Sequence, residues 1–485
     1  MRTLTLLLLA ATATVLSPVV AQAQLRGLRQ NDVAEAQQQH PALVAEFGGA
    51  ETGPRASYVE SIGRRVAAQS GTANYQAAYH FTTLNSAVEN AFSVPGGYVY
   101  ITRQLMGLMG DEAELGFVLG HEVGHIAANH AHARQSVASR NSILGVLGAI
   151  LGSAVGINGV SNMLTQAAQM RTLSFSRDQE FQADVLGIRY LTTAGYDPGA
   201  GSTMLAALTR ASALSARTQG KANRSTPEWA STHPLSENRA QRALAEAQRT
   251  GRIGQGLRNR DAFVAQLNGL YMDDDPAQGI IDGRSFTHPD LRMQFIVPVG
   301  YQMQNSARAV TIAGSAGQAQ FGGGRYSGNL ENYIGLVLRE LAGDQRLNVP
   351  PPQRTTINGL PAAYTTARAN ARSGVVDVSV MAYQWDANTA YHFVMLTRAG
   401  TGIGPFVSMV DSLRKISAAE ASAIRPRIIQ VVTVGPNDTR QSLAGRMAYP
   451  DFKLERFLSL NGIAGNAPLT PGQKVKLVVY GARRR

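Results

Sequence analysis

Two histidines four residues apart with a glutamate next to the first, His121-Glu122-Val123-Gly124-His125, constrain this chain more than any other feature. Residues i and i+4 lie one above the other on one face of an α-helix. On a helix, both imidazoles can grip one Zn²⁺, and the glutamate falls beside the metal-bound water. The flanks call for that helix. Asp111 offers an N-cap, with Glu114 at the third helical position in the manner of a capping box. Leu115, Val118, Leu119, Val123 and Ile126 recur at helical spacing. The pattern predicts a helix of roughly 20 residues with the motif well inside it. Composition sharpens the signal, because only 9 of 485 residues are His and four of those fall between His121 and His132. Two surface histidines on an ordinary helix would be the plain alternative.

A catalytic zinc site needs a third protein ligand and leaves its fourth place to water. A third histidine ten residues after His121 would complete one common arrangement, but that position is Ala131. A carboxylate from a second helix is the other common solution. Glu180 and Asp184, in the stretch Ser176 to Asp184, again stand four apart on one helical face. Glu180 is the candidate third ligand. Asp184, one turn on, is placed to accept the ring N–H of a ligand histidine and so set its tautomer. A solvated acidic face would look the same in isolation. His130 and His132 are expected near the ligands or at the surface, with His132 a weaker rival ligand. His233, followed by Pro234 and Arg239, has no assignment from spacing alone. There is no Cys anywhere, so a zinc must be held by nitrogen and oxygen, and disulfides are excluded.

Four stretches together resemble the M48 family of zinc metallopeptidases: Asn90 to Gly97, the motif at 121–125, Glu180 to Asp184, and Thr232-His233-Pro234 with Arg239. The resemblance runs over roughly residues 30–270 and implies zinc ligands His121, His125 and Glu180, with Glu122 as general base. It further implies that His233 and Arg239 approach the zinc from the far side. His233 would then stabilise the oxyanion or occupy the open zinc position as an off-switch. Asn90, Ala91 and Phe92 would belong to an edge strand that pairs with the substrate backbone, a mode that reads backbone rather than sequence.

The first residues carry one Arg, an apolar run and the small-residue site Ala21-Gln22-Ala23, as in a signal peptide cleaved after Ala23. Pro18 breaks the run and argues against an uncleaved anchor. The stretch Ile143 to Ile157 is also apolar, but it holds four Gly and is short of the roughly 20 residues of a membrane span. It reads as a glycine-rich flap or helix beside the site. The net charge of +12 favours peripheral contact with anionic envelope surfaces. No nucleic-acid recognition motif is present. Localisation to the periplasm or cell envelope follows.

Length allows about three domains at roughly 150 residues each. An acidic break, Asp273-Asp274-Asp275-Pro276, ends the first. Beyond it Leu291 to Val297 alternates as a strand, Val375–Met381 and Tyr391–Leu396 suggest a hairpin turning near Asp386 to Asn388, and Ile334–Leu341 and Phe406–Leu413 have helical periodicity. Residues 284–416 therefore read as a small α+β domain, without a chemical constellation; His288 and His392 have no companions as ligands. A linker of small residues, Ser417 to Pro426, leads to a strand, two helices and a closing strand. This last unit resembles a LysM domain through Asn437-Asp438-Thr439, Leu460-Asn461 and Pro471-Gly472-Gln473. The resemblance implies glycan binding at Asp438, Thr439 and Asn461, with peptidoglycan as the partner.

The expected whole is a multidomain chain. A signal peptide (1–23) precedes a mainly α-helical, zincin-type α+β metallopeptidase domain (24–272). An α+β accessory domain (284–416) and a βααβ LysM-like domain (428–481) follow. The expected activity is zinc-dependent hydrolysis of misfolded or misassembled envelope proteins, one Zn²⁺ per chain. The rival is a latent protease serving as a chaperone or peptidoglycan-tethered scaffold. A scaffold would have no use for Glu122.

Overall fold

The structure, a computed structural model, describes residues 27–131, 175–218, 233, 238–342, 348–371 and 374–483. The expected signal peptide, the stretch 143–157, His132, Thr232 and Pro234 lie outside the described residues. Among the described residues, no helix is long and apolar enough to cross a membrane.

The first unit is built on a small sheet of β1 (His80–Leu84), β2 (Ala91–Val94) and β3 (Tyr98–Thr102), in the order β1-β3-β2. β3 is parallel to β1 and antiparallel to β2, so β2 is an edge strand among the described residues. All five residues of β3 are buried, because both faces of the sheet are covered. Tyr98 and Tyr100 pack with Leu43 and Phe47 of α1 (Gln30–Glu46) and its C-cap. Val99 and Ile101 join the larger core with α2 (Pro54–Ala67). α3 (Arg103–Leu108) leads into α4 (Glu112–Ala127), the helix that carries the histidine motif. α5 (Arg177–Thr193), α6 (Ala200–Thr218), α7 (Arg239–Arg249) and α8 (Arg260–Gln266) complete the helical part.

α4 is 16 residues long, shorter than its pattern suggested. Asp111 caps it as expected, its Oδ1 accepting Glu114 N–H at 2.9 Å. The reciprocal half of the capping box is replaced: Glu114 accepts the N–H of Gly110 at 2.7 Å instead. Every residue from Glu112 to Ile126 is buried. An apolar stripe was legible, but the helix runs through the core on all sides. Its contact with α5 depends on glycine. A Cβ on Gly187 would stand 3.1 Å from the backbone N of His121, and one on Gly124 would stand 3.2 Å from Leu186 Cβ. The bare backbones let the helices approach closely enough for side chains of α5 to reach those of α4.

Among the described residues, the second unit holds eleven strands and two α-helices, the second only Val407–Val410. β5 (Ile280–Asp282), β6 (Ser285–His288), β7 (Met293–Ile296) and β15 (Arg414–Lys415) form one sheet, in the order β15-β7-β6-β5. β8 (Gln302–Asn305), β9 (Val310–Gly314), β10 (Gly317–Arg325), β11 (Gln353–Ile357), β12 (Leu360–Ala371), β13 (Gly374–Gln384) and β14 (Thr389–Arg398) form an antiparallel sheet, in the order β11-β12-β13-β14-β10-β9-β8. Phe286, Phe295, Phe321 and Phe393 pack between the two sheets. α9 (Leu330–Ala342) covers the other face through Ile334 and Leu338 against Val380 and Val394. The β13–β14 hairpin turns where its sequence predicted, with Gln384 opposite Ala390. Two expectations change. Two strands, β5 and β6, precede the one expected at 291–297, and the helical pattern of 406–413 yields only Val407–Val410, preceded by a 3₁₀ turn at Gly404–Phe406.

The last unit follows the expected order: β16 (Arg427–Thr433), α10 (Arg440–Gly445), α11 (Lys453–Asn461) and β17 (Lys474–Tyr480). Its placement was not legible. β16 pairs with β17 on one side and, on the other, with a two-residue strand of the first unit, β4 (Tyr271–Met272). Ile429, Leu443, Phe457 and Leu477 lie in the same continuous core as Leu105, Met106 and Leu208. The presumed linker 417–426 contains a short helix, Ala418–Ala423, with a capping box between Ser417 and Glu420.

Candidate metal centre

α4 places His121 and His125 on one face, and α5, held close by the glycine contact, places Glu180 opposite them. His125 Nε2 lies 3.0 Å from His121 Nε2 and 3.4 Å from Glu180 Oε1. His121 Nε2 lies 3.6 Å from Glu180 Oε2. His233 Nδ1 completes the group at 3.3 Å from His121 Nε2 and 2.9 Å from Glu180 Oε1. One ligand atom from each of these four buried residues lies within 4.8 Å of the others. A tetrahedral ion with bonds of about 2.0–2.1 Å has ligand-to-ligand edges of about 3.3 Å, the spacing seen here. Two imidazole and one carboxylate donors, with a third imidazole available, suit zinc.

The surroundings fix the ring orientations. His121 Nδ1 lies 3.0 Å from Asp184 Oδ1, which favours a proton on Nδ1 and leaves the Nε2 lone pair facing the group. His125 Nδ1 meets His130 Nδ1 at 2.8 Å, and His130 Nε2 meets Gln182 Oε1 at 3.0 Å. His130 thus supports His125 from behind. The His125 ring also stacks on Phe175, centroids 3.7 Å apart. With their other nitrogens engaged in this way, two ring nitrogens face one another at 3.0 Å, an arrangement that calls for a cation between them.

Glu122 is fully buried beside this group. Ser93 Oγ donates to its Oε2 at 3.0 Å, and His233 Nε2 stands 3.5 Å from its Oε1. Burial disfavours the charge on Glu180, yet His233, His125 and Arg239 hold its carboxyl well below the usual range. Asp184 is likewise lowered against its burial by Arg239 and His121. Burial pushes His125 well below the ordinary imidazole value. It also works against a charged His233, but Glu180 and Glu122 outweigh it and raise that pKa.

Arg239 meets the group through its carboxylates. Its Nε and Nη2 donate to Asp184 at 2.6 and 2.7 Å, and its Nη1 lies 2.7 Å from Glu180 Oε2. It braces the two carboxylates, with α7 beginning at Arg239 alongside α5. The side chains of the expected substrate strand pack inward. Ala91 is buried in the core, Phe92 stacks between Phe47 and Tyr100, and Asn90 is buried with its backbone tied to Thr102. Alternation along β2 turns Phe92 toward α1 and Ser93 toward Glu122. A cavity of about 750 Å³ lies beyond, lined by Ser93 to Gly96, His125, Phe175 and the start of α1. Ser93 lay inside the quoted Asn90–Gly97 stretch without an assigned role, and Phe175 carried no sequence signal at all.

The expected glycan residues serve local structure. Asp438 Oδ2 accepts Gly435 N–H at 2.8 Å, and Thr439 caps α10. Asn461 binds the backbone of Lys476 through both ends of its amide. In the second unit, His288 accepts Leu291 N–H, and His392 meets Tyr333 OH at 2.8 Å.

Residues 54–247 match the family described as Peptidase family M48. The beta-barrel assembly-enhancing protease of Yersinia pestis is 31% identical over 189 residues, covering 38% of this chain and 37% of that protein. The mitochondrial metalloendopeptidase OMA1 of Arabidopsis thaliana is 30% identical over 170 residues, covering 35% and 32%. That of Schizosaccharomyces pombe is 28% identical over 220 residues, covering 44% and 61%. The chain thus spans about 37% of the length of the first of these relatives.

Proposed function

With a peptidase family M48 domain over residues 54–247 as premise, we propose that this protein is a zinc endopeptidase that cleaves extended polypeptide. The observation that carries the reading is the convergence of His121, His125, Glu180 and His233 beside the buried Glu122. Zinc held by His121, His125 and Glu180 would supply a Lewis acid and a water acidified to a pKa of about 7. Glu122 would serve as the general base, accepting a proton from the attacking water and returning it to the leaving amine. Ser93, donating to Glu122 Oε2, leaves Oε1 directed at the site. Asp184 and Arg239 hold His121 and Glu180 in place. An extended substrate adds to the outer edge of β2, and its side chains enter the cavity beside Ser93 and Phe175.

His233 supports a second reading. Its Nδ1 stands among the ligand atoms, as a fourth ligand would, and this favours a latent form of the enzyme. Displacement of His233 then opens the site, and its ring becomes available to the developing oxyanion. Misfolded or misassembled envelope proteins are the proposed substrates, by likeness to a relative named for β-barrel assembly. Export with cleavage after Ala23 and peptidoglycan contact through the last unit belong to the same proposal. Casein digestion with and without a zinc chelator, alongside a Glu122→Gln form, tests it. Glu122→Gln should keep its zinc and lose cleavage. Cleavage that survives both treatments would remove the proposal.

A further inference from the structure

Lys476 is buried in β17 between core residues Val475 and Leu477, 2% exposed. Its Nζ donates to the carbonyls of Gly107 and Met109 at 2.7 and 2.6 Å. These carbonyls close α3, where a helix leaves acceptors without partners. The turn so gripped runs directly into α4. Gly110 N–H is held by Glu114, Asp111 caps the helix, and Arg258 Nη1 binds Asp111 Oδ2 at 2.9 Å. Glu114 and Asp111 of this turn and Arg260 of α8 are the charged groups facing Lys476. The backbone of Lys476 is fixed as firmly as its side chain. Asn461 Oδ1 accepts its N–H at 2.7 Å, and Asn461 Nδ2 donates to its carbonyl at 2.9 Å.

An amine buried in a core costs more than an apolar side chain of the same shape. Core filling alone gives no reason for it; fixing a register does. Gly269 and Ile429 secure the same interface, since Gly269 N–H donates to Ile429 O at 2.7 Å and Ile429 N–H to Leu270 O at 2.8 Å.

We propose that the last unit is a clamp on the helix carrying the histidine motif, with Lys476 as its positioning residue. β17 sets the α3–α4 turn and thereby the seat of His121 and His125. The effect on metal rests on the zinc reading above, whereas the clamp itself does not.

Native-state amide hydrogen exchange on the full chain tests the clamp directly. Amides of 475–478 and of 113–119 should open together, with protection within about tenfold of each other across denaturant. Exchange of 475–478 at least about a hundredfold faster, with α4 still protected, would overturn it. The second arm compares Lys476→Met with Val475→Ala, a plain core truncation, at a temperature where both remain folded. Chelator competition should strip zinc from Lys476→Met about tenfold more readily than from Val475→Ala at a matched loss of thermal stability. Equal zinc retention in the two overturns the positioning role. If Lys476→Met does not fold, the exchange result on the native chain decides. A native chain that binds no zinc removes the metallopeptidase reading and leaves the exchange arm standing.

Discussion

Replacing Arg239 by Met removes the one guanidinium that joins two buried carboxylates behind the candidate metal site. The side chains of Arg239, Asp184 and Glu180 are 1%, 6% and 1% exposed, so water cannot take the place of the lost donors. Breaking a buried pair by removing one partner costs about 3–5 kcal/mol. For a cooperative unit of this size that is a fall in Tm of roughly 6–20 °C. The metal-free protein is the form to measure, since a bound cation would share the same carboxylates. The sign with pH follows from the lowered carboxyls of Glu180 and Asp184. Stabilisation from a lowered carboxyl is complete above its unfolded value of about 4 and fades as pH falls through the folded value. The gap between native and Arg239→Met should therefore be full at pH 7 and shrink below about pH 4. Scanning calorimetry on chelated protein at both pH values, with Asp184→Asn and the double variant to close a cycle, gives the coupling. A coupling below about 0.5 kcal/mol, or a gap unchanged on acidification, would refute the bracing role.

Ser93→Ala deletes the hydroxyl on Glu122; kcat on a peptide substrate should fall roughly tenfold while zinc content by elemental analysis is unchanged. Asn461→Ala leaves a buried N–H and carbonyl of Lys476 unpaired and should cost about 2–4 kcal/mol in chemical denaturation; a cost under about 0.5 kcal/mol would mean the amide is free for a ligand. Burial lowers His392 to about 4, so its unfolded form takes up a proton first as pH drops below 6.5. The second unit should accordingly lose roughly 3 kcal/mol between pH 6.5 and 4, and His392→Gln should flatten that slope in pH-dependent unfolding.

The core of the site was readable because its chemistry is local. His121, Glu122 and His125 share one helical turn, and Glu180 and Asp184 share another, so spacing alone placed each set on one face. The meeting of the two turns depends on Gly124 and Gly187, whose missing side chains allow a backbone approach that no periodicity announces. Phe175 and His130 act on His125 from outside any motif. Ser93 escaped assignment for a related reason. The edge strand was identified, but which of its residues faced the metal depended on the sheet having α1 on one side and α4 on the other.

The last unit shows how far a hydrophobic pattern can be read. Alternation in β16 and β17 and the helical spacing of α11 report that certain side chains are buried, and the βααβ order follows from them. They do not report what those side chains are buried against. A separate domain would be expected to close its apolar face on itself, whereas here Phe457, Leu460 and Leu477 share a core with Leu105 and Met109. Lys476 marks the contact in the structure, a buried charge set among Val475, Leu477 and Val478 where an isolated strand of that burial would have an apolar side chain. A buried amine needs carbonyls or carboxylates close by. Its Nζ donates to two carbonyls, and both of them, Gly107 and Met109, belong to the turn before the histidine helix. The misfit of one charge with its strand was therefore evidence about tertiary structure, pointing to a surface more than 350 residues earlier in the chain.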